Sequence, residues 1–223
     1  TSAQKAAEIV EAYWMAIMRD VSFADYGTNA NTDVRVGFTG GVTTRALADL
    51  NALSDFRGPK DGGLVTKDTL FRTTYAGNMN GPYISQFMYL DCPFGATDIS
   101  QLYHVPVSGD DFLTNYSEWL NVQNGAAPSF STTFDGTRRY VRNGRDLARM
   151  VQMDVLYQYY FQAMLILQAM GCPLNSGNPY KNSINQVGFA TFGGPHLAAL
   201  IAEGCSRALK AAWYFKWNVY RSL

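Results

Sequence analysis

What this 223-residue chain has little of narrows its chemistry first. Eighteen Lys and Arg are matched by eighteen Asp and Glu. The positive excess that tracks a phosphate backbone is missing, which argues against a nucleic-acid partner. No run of about 18 apolar residues occurs, so no membrane-spanning helix is expected. Histidine is scarce: His104 and His196 stand alone, and each reads as a structural residue. No HExxH, P-loop or nucleophile-elbow pattern is present. The three cysteines, Cys92, Cys172 and Cys205, are widely spaced and form no CxxC pair. An odd number cannot close internally without a leftover. One bridge plus a cysteine paired outside the chain, and three small core residues, are both open readings.

What is abundant is aromatic surface, with fourteen Tyr and thirteen Phe, and helical periodicity. Ser2 to Met18 carries a wide apolar stripe behind a Ser N-cap. Thr43 to Leu53 reads as a short helix, as do the segments opening at Thr66 and Tyr83. Ser108 is placed as a cap for a helix that buries Trp119 and Leu120. From about Thr137 to Met170 the period continues through Gly144, apolar over most of its circumference, as in a central helix. Gly171-Cys172-Pro173 ends it, and Pro195 opens a last helix at a first-turn position. Cys92 to Val107 carries no helical period, and its residues Ile99, Leu102, Tyr103, Val105 and Val107 suggest a small β-hairpin or an extended excursion. The expected fold class is all-α, a helical bundle with a small β-hairpin near 97–107. The expected domain is a single one over 1–223, part of a larger folded unit, because no Gly or Pro closes the final helix.

Two segments carry candidate chemistry. On the last helix Trp213, Lys216 and Tyr220 stand at i, i+3 and i+7, which share a face in an α-helix. A lysine among aromatics there can offer an ammonium to an oxyanion, or simply snorkel over apolar surface. Arg138, Arg139, Arg142, Arg145 and Arg149 form a basic segment. Its readings are an anion site, a subunit contact, or a solvated or ion-paired helix face, and the last is favoured. Gly193-Gly194 reads as a turn.

Longer stretches carry a resemblance. Arg207 to Arg221, with Ala211-Ala212-Trp213-Tyr214-Phe215-Lys216-Trp217-Asn218 at its centre, resembles the vanadate-site helix of algal-type vanadium-dependent bromoperoxidases. So do Ala12-Tyr13-Trp14-Met15-Ala16 with Arg19-Asp20-Val21, Gly81-Pro82-Tyr83-Ile84-Ser85-Gln86, and Glu118-Trp119-Leu120-Asn121-Val122-Gln123-Asn124-Gly125. Tyr140 to Arg149 matches as well, and Gly188-Phe189, Phe192-Gly193 and His196 resemble the segment leading into that helix. The resemblance implies a mainly helical haloperoxidase that uses hydrogen peroxide to oxidise halide, bromide first, and so halogenate organic acceptors. It implies vanadate as cofactor, Lys216 as a catalytic and vanadate-binding donor, Trp213 as a wall of that site, and no metal ligand within the chain. It places the ligating histidine, a Ser-Gly-His segment and two vanadate-binding arginines after Leu223, in a remaining C-terminal half that this chain would need as partner. Tyr220 stands where the family commonly has histidine. A homo-oligomer and an extracellular or cell-wall setting are implied. A helical acid phosphatase-like enzyme and a non-catalytic assembly module are the alternative functions.

Overall fold

A computed structural model of the chain describes residues 2–27 and 41–221. The stretch Gly27 to Gly41, which its Asn, Thr and Gly content marks as a loop, lies largely outside the described residues. Six α-helices and one two-stranded hairpin are found among those described, so the mainly helical class with a small hairpin is borne out. They form two compact units, residues 1–84 with 102–151, and residues 85–101 with 152–223.

In the first unit, α1 (Ala3–Ile17) begins where Ser2 Oγ accepts from Lys5 N at 3.1 Å. That hydroxyl satisfies one of the orphan amides of the first turn. Helix α2 (Val42–Asn51) buries Val42, Ala46 and Leu50, a strict i, i+4, i+8 stripe. Against them pack Ala7, Trp14 and Met18 of the α1 region, with Phe56, Val65 and Leu70. Asn51 holds the return strand in both directions, accepting from Val65 N at 2.7 Å and donating to Val65 O at 2.9 Å. The helix expected from Thr66 is only one turn. Leu70 N reaches Thr66 O at 2.9 Å, but Phe71 sits at φ 57°, a left-handed conformation that stops propagation.

The basic segment folds into ion pairs. Arg145 donates through Nε to Asp20 Oδ1 at 2.5 Å and through Nη2 to Asp111 Oδ1 at 3.0 Å. Arg19 pairs with the same Asp111. Arg139 grips fully buried Asp146 with both terminal nitrogens, Nη2 lying 3.1 Å from Oδ1. Arg149 stacks over the Phe134 ring, and Arg138 donates to His104 Nε2 at 3.1 Å. The ion-paired reading holds for Arg139 and Arg145, and His104 accepts a hydrogen bond from Arg138. Burial alone would raise the Asp111 carboxyl, but hydrogen bonds from Arg19 and Arg145 overcome it and hold the group below the usual carboxylate range.

The helix expected from Tyr83 is only a 3-10 turn over Gln86–Tyr89, and three further boundaries differ from expectation. The helix placed after Ser108 instead starts behind Asn115, whose Oδ1 accepts from Glu118 N at 2.8 Å. This helix, α3 (Tyr116–Gln123), leaves Trp119 exposed rather than buried, because Leu113 at φ 54° turns the chain before it. The hairpin lies at β1 (Cys92–Phe94) and β2 (Thr97–Ile99), around Gly95 at φ +63°. Residues 103–106 are extended as expected, but they bridge to Arg139 and Phe134. Finally, the long central helix is two. Helix α4 (Gly144–Gln152) starts at Gly144, with Asn143 Oδ1 capping Asp146 N at 3.0 Å. Helix α5 (Gln158–Ala169) follows a turn closed by Gln158 N on Val155 O at 2.7 Å and by Val155 N on the Gln158 side chain. Such local bonding competes with the helical ladder. Met153 and Val155 in this break are exposed, and α5 buries only Gln162, Met164 and Ile166.

Replacing Arg145 by Met removes the charge-assisted hydrogen bonds it makes to Asp20 and Asp111, and is expected to destabilise the fold by about 2–3 kcal/mol in denaturant titrations. Because the folded Asp111 carboxyl lies below its unfolded value, its contribution is full above the ordinary carboxylate range. It is lost as pH falls through the folded value. Asp111→Asn is therefore expected to lower Tm near neutral pH and to flatten the acid limb of a Tm-against-pH curve.

Candidate functional site

In the second unit the chain enters the last helix through a loop that permits almost no side chain. A Cβ on Gly193 would lie 2.3 Å from Gly188 O and 2.5 Å from Phe189 Cα; one on Gly188 would lie 2.6 Å from Phe192 O. These are backbone atoms of the same loop, so nothing flexible can yield. Phe189 and Phe192 bridge across it, and Phe192, at φ 59°, donates its amide to His196 Nδ1 at 3.0 Å. His196 is thus a structural residue that closes the loop. Glycine at 193 serves close backbone approach rather than an ordinary turn, since its φ of −121° is accessible to any residue.

Helix α6 (Gly194–Tyr214) starts from this loop with Pro195 in its first turn, where no intrahelical donor is lost. It packs alongside α5, and Gly194 lies close to the Gln168 amide. Yet none of its residues is buried, and from Arg207 onward every described residue is exposed. Arg207 is held by Glu203 one turn earlier.

Beyond Tyr214 the helix changes pitch. Phe215–Tyr220 is a π-helical turn, in which hydrogen bonds run i→i+5 and which often marks functional sites. The side chains report the change: Phe215 and Tyr220, five apart, stack with ring centroids at 6.0 Å and an interplanar angle of 30°. Arg221 then adopts φ 52°. The face expected to join Trp213, Lys216 and Tyr220 assumes an uninterrupted α-helix, and the π turn rephases it. Lys216 Nζ lies 5.1 Å from the centroid of the Trp217 ring. It makes no ion pair with any described residue. Trp213 is 57% exposed and Trp217 50%. Trp213 and Lys216 are thus carried on the same helical arm, both open to contact. The role of Trp217 and the π turn carried no separate sequence signal beyond the density of aromatics.

Away from this arm, a polar cleft of about 440 Å³ lies beside α3, lined by Asn115, Ser117, Glu118, Asn121 and Ser129 among others. No cluster of three or more His, Cys, Asp or Glu suited to a metal ion occurs among the described residues. All three cysteines are free, Cys92 fully buried and Cys172 exposed. Burial pushes the Cys92 thiol up, with Asp98 adding to it.

The whole chain aligns with known bromoperoxidases. It is 32% identical over 222 residues, 99% of its length, to a vanadium-dependent bromoperoxidase of Ascophyllum nodosum. It is 30% identical over its full length to the vanadium-dependent bromoperoxidases of Corallina pilulifera and Corallina officinalis. The structure superposes on that of a second, homohexameric vanadate-dependent bromoperoxidase from Ascophyllum nodosum with a TM-score of 0.85, at 34% identity and over 100% of the chain. The chain shares the vanadium bromoperoxidase fold. It spans 39% to 43% of the length of these curated relatives and 36% of the solved one. No family model matches it. The bromoperoxidase likeness extends over the whole length of the chain.

Gly193→Ala forces backbone atoms apart and is expected to destabilise the protein by about 2 kcal/mol or more, read as a fall in Tm with loss of helical ellipticity. His196→Ala strands the Phe192 amide and is expected to cost about 1 kcal/mol.

Proposed function

We propose that this chain is part of a vanadium-dependent haloperoxidase, in which the arm of α6 contributes Lys216 to an oxyanion-binding site. The observation that carries the reading is the Lys216 ammonium, exposed, without a counter-ion among the described residues, and seated over an aromatic ring. A vanadate oxyanion fits such a group, because a compact ammonium offers three donors and a full positive charge. On this arm the donor seated on an aromatic ring is Lys216. His196 already accepts a backbone amide, Arg139 and Arg145 are ion-paired, and Arg149 stacks on Phe134. Further fixed donors therefore have to meet Lys216 from elsewhere in the complete protein.

Bound vanadate would supply Lewis-acid activation of hydrogen peroxide towards halide. Within this scheme Lys216 neutralises oxyanion charge and orients it through its N–H donors, and Trp213 walls the site and limits water around that ammonium. Hydrogen peroxide, bromide and an organic acceptor are the proposed substrates. Assembly into a homo-oligomer belongs to the same proposal and is supported by the likeness to the homohexameric bromoperoxidase; an extracellular or cell-wall setting is proposed with it. No helix among the described residues is long and apolar enough to cross a membrane.

The test uses the protein at its full natural length, with vanadate, peroxide and bromide, assayed by bromination of an electron-rich phenol. Turnover is expected, and Lys216→Met is expected to weaken vanadate binding at least about tenfold, the worth of a charge-assisted hydrogen bond. Phosphate-ester hydrolysis without bromination would instead establish the phosphatase alternative, and the absence of both would favour an assembly module. The 223-residue chain alone is expected to show no vanadate-dependent turnover.

A further inference from the structure

We infer that Trp217 is a positioning residue for Lys216, and that the π-helical turn exists to bring the two together. This inference rests on the proposed role of Lys216 as an oxyanion donor and deepens it. Lysine is a poor fixed donor by itself: its four-carbon stem carries about 2 kcal/mol of rotamer entropy that a binding site has to overcome. Neighbours one apart on a regular α-helix do not face each other. In the Phe215–Tyr220 turn they do, since Lys216 Nζ lies 5.1 Å from the Trp217 ring centroid, within cation–π range. The ring face takes up one side of the ammonium and leaves the other N–H groups directed outward. Preorganisation of this kind increases affinity by reducing the ordering cost at binding.

The turn itself is held by aromatics. Tyr220 stacks on Phe215 at the i, i+5 spacing that only π geometry brings into register. Tyr220 thus has a structural task of its own, as the clamp of the pitch that seats Lys216 over Trp217. Neither Trp217 nor Tyr220 is required to touch the oxyanion.

The test compares Trp217→Leu, Trp217→Phe and Lys216→Met in the protein at its full natural length, with inorganic vanadate as probe. Vanadate affinity is measured by equilibrium titration, and the ε-methylene protons of Lys216 are followed by NMR in the vanadate-free protein. Trp217→Leu is expected to weaken vanadate binding about two- to fivefold and to abolish the ring-current shift of those protons. Trp217→Phe, which keeps an aromatic face, is expected to retain most of both. If Lys216→Met lowers affinity while Trp217→Leu and Trp217→Phe leave it unchanged, the positioning role is overturned and the oxyanion role stands. If Lys216→Met itself has no effect, both fall. A Trp217→Leu protein with an unaltered Lys216 proton shift overturns the geometry directly.

Discussion

The close approach of Gly188 to Gly193 is the constraint on which the proposed site depends. With a Cβ-to-backbone separation of 2.3 Å at Gly193, the loop closes only if that position has no side chain, and 2.6 Å at Gly188 imposes the same. Closing the loop places Phe192 where His196 can accept its amide, and that hydrogen bond fixes the first turn of α6. Everything carried at the other end of that 21-residue helix, Trp213, the π turn and Lys216 included, inherits its direction from this junction.

The two ends of α6 are built on opposite principles. The start is tight, locally hydrogen-bonded and packed near α5. The last third is exposed on all sides, with Trp213, Tyr214, Phe215 and Trp217 covering most of the circumference. Aromatic surface of that extent is costly to leave in water, and its positive groups Lys210, Lys216 and Arg221 face no acidic residue on the same arm. The combination suits an element that inserts among other protein groups and presents cationic donors there. In the first unit, by contrast, Arg145, Arg139 and Arg19 are paired with Asp20, Asp146 and Asp111.

Much of this was legible in residue order. Ser2 as a cap, the apolar stripe of α2, Pro195 at the start of α6 and the all-α class follow from side-chain chemistry that acts within one or two turns. The errors share a cause. Met153 to Tyr157 keeps helical periodicity, but Gln158 bonds back to Val155 and interrupts the ladder, a competition that periodicity does not register. Ser108 and Asn115 are both competent caps, and the left-handed Leu113 decides between them. The hairpin near 97–107 was displaced because Gly95, outside the expected span, supplies the turn.

The same limit applies to the site. Spacing identified Lys216 and Trp213, and assumed 3.6 residues per turn to the end of the helix. The π turn alters that period, so the ring under the ammonium is Trp217. The turn is accompanied by the stacking of Phe215 on Tyr220, an interaction invisible until the turn exists.

The central claim is that the Lys216 ammonium binds an oxyanion in the complete protein. Its most direct test is the rate of reductive methylation at each lysine, read by mass spectrometry, with and without saturating vanadate. Protection of Lys216, with Lys210 six residues earlier on the same helix methylated at an unchanged rate, is the predicted result. Equal methylation of Lys216 in the presence and absence of vanadate would contradict it.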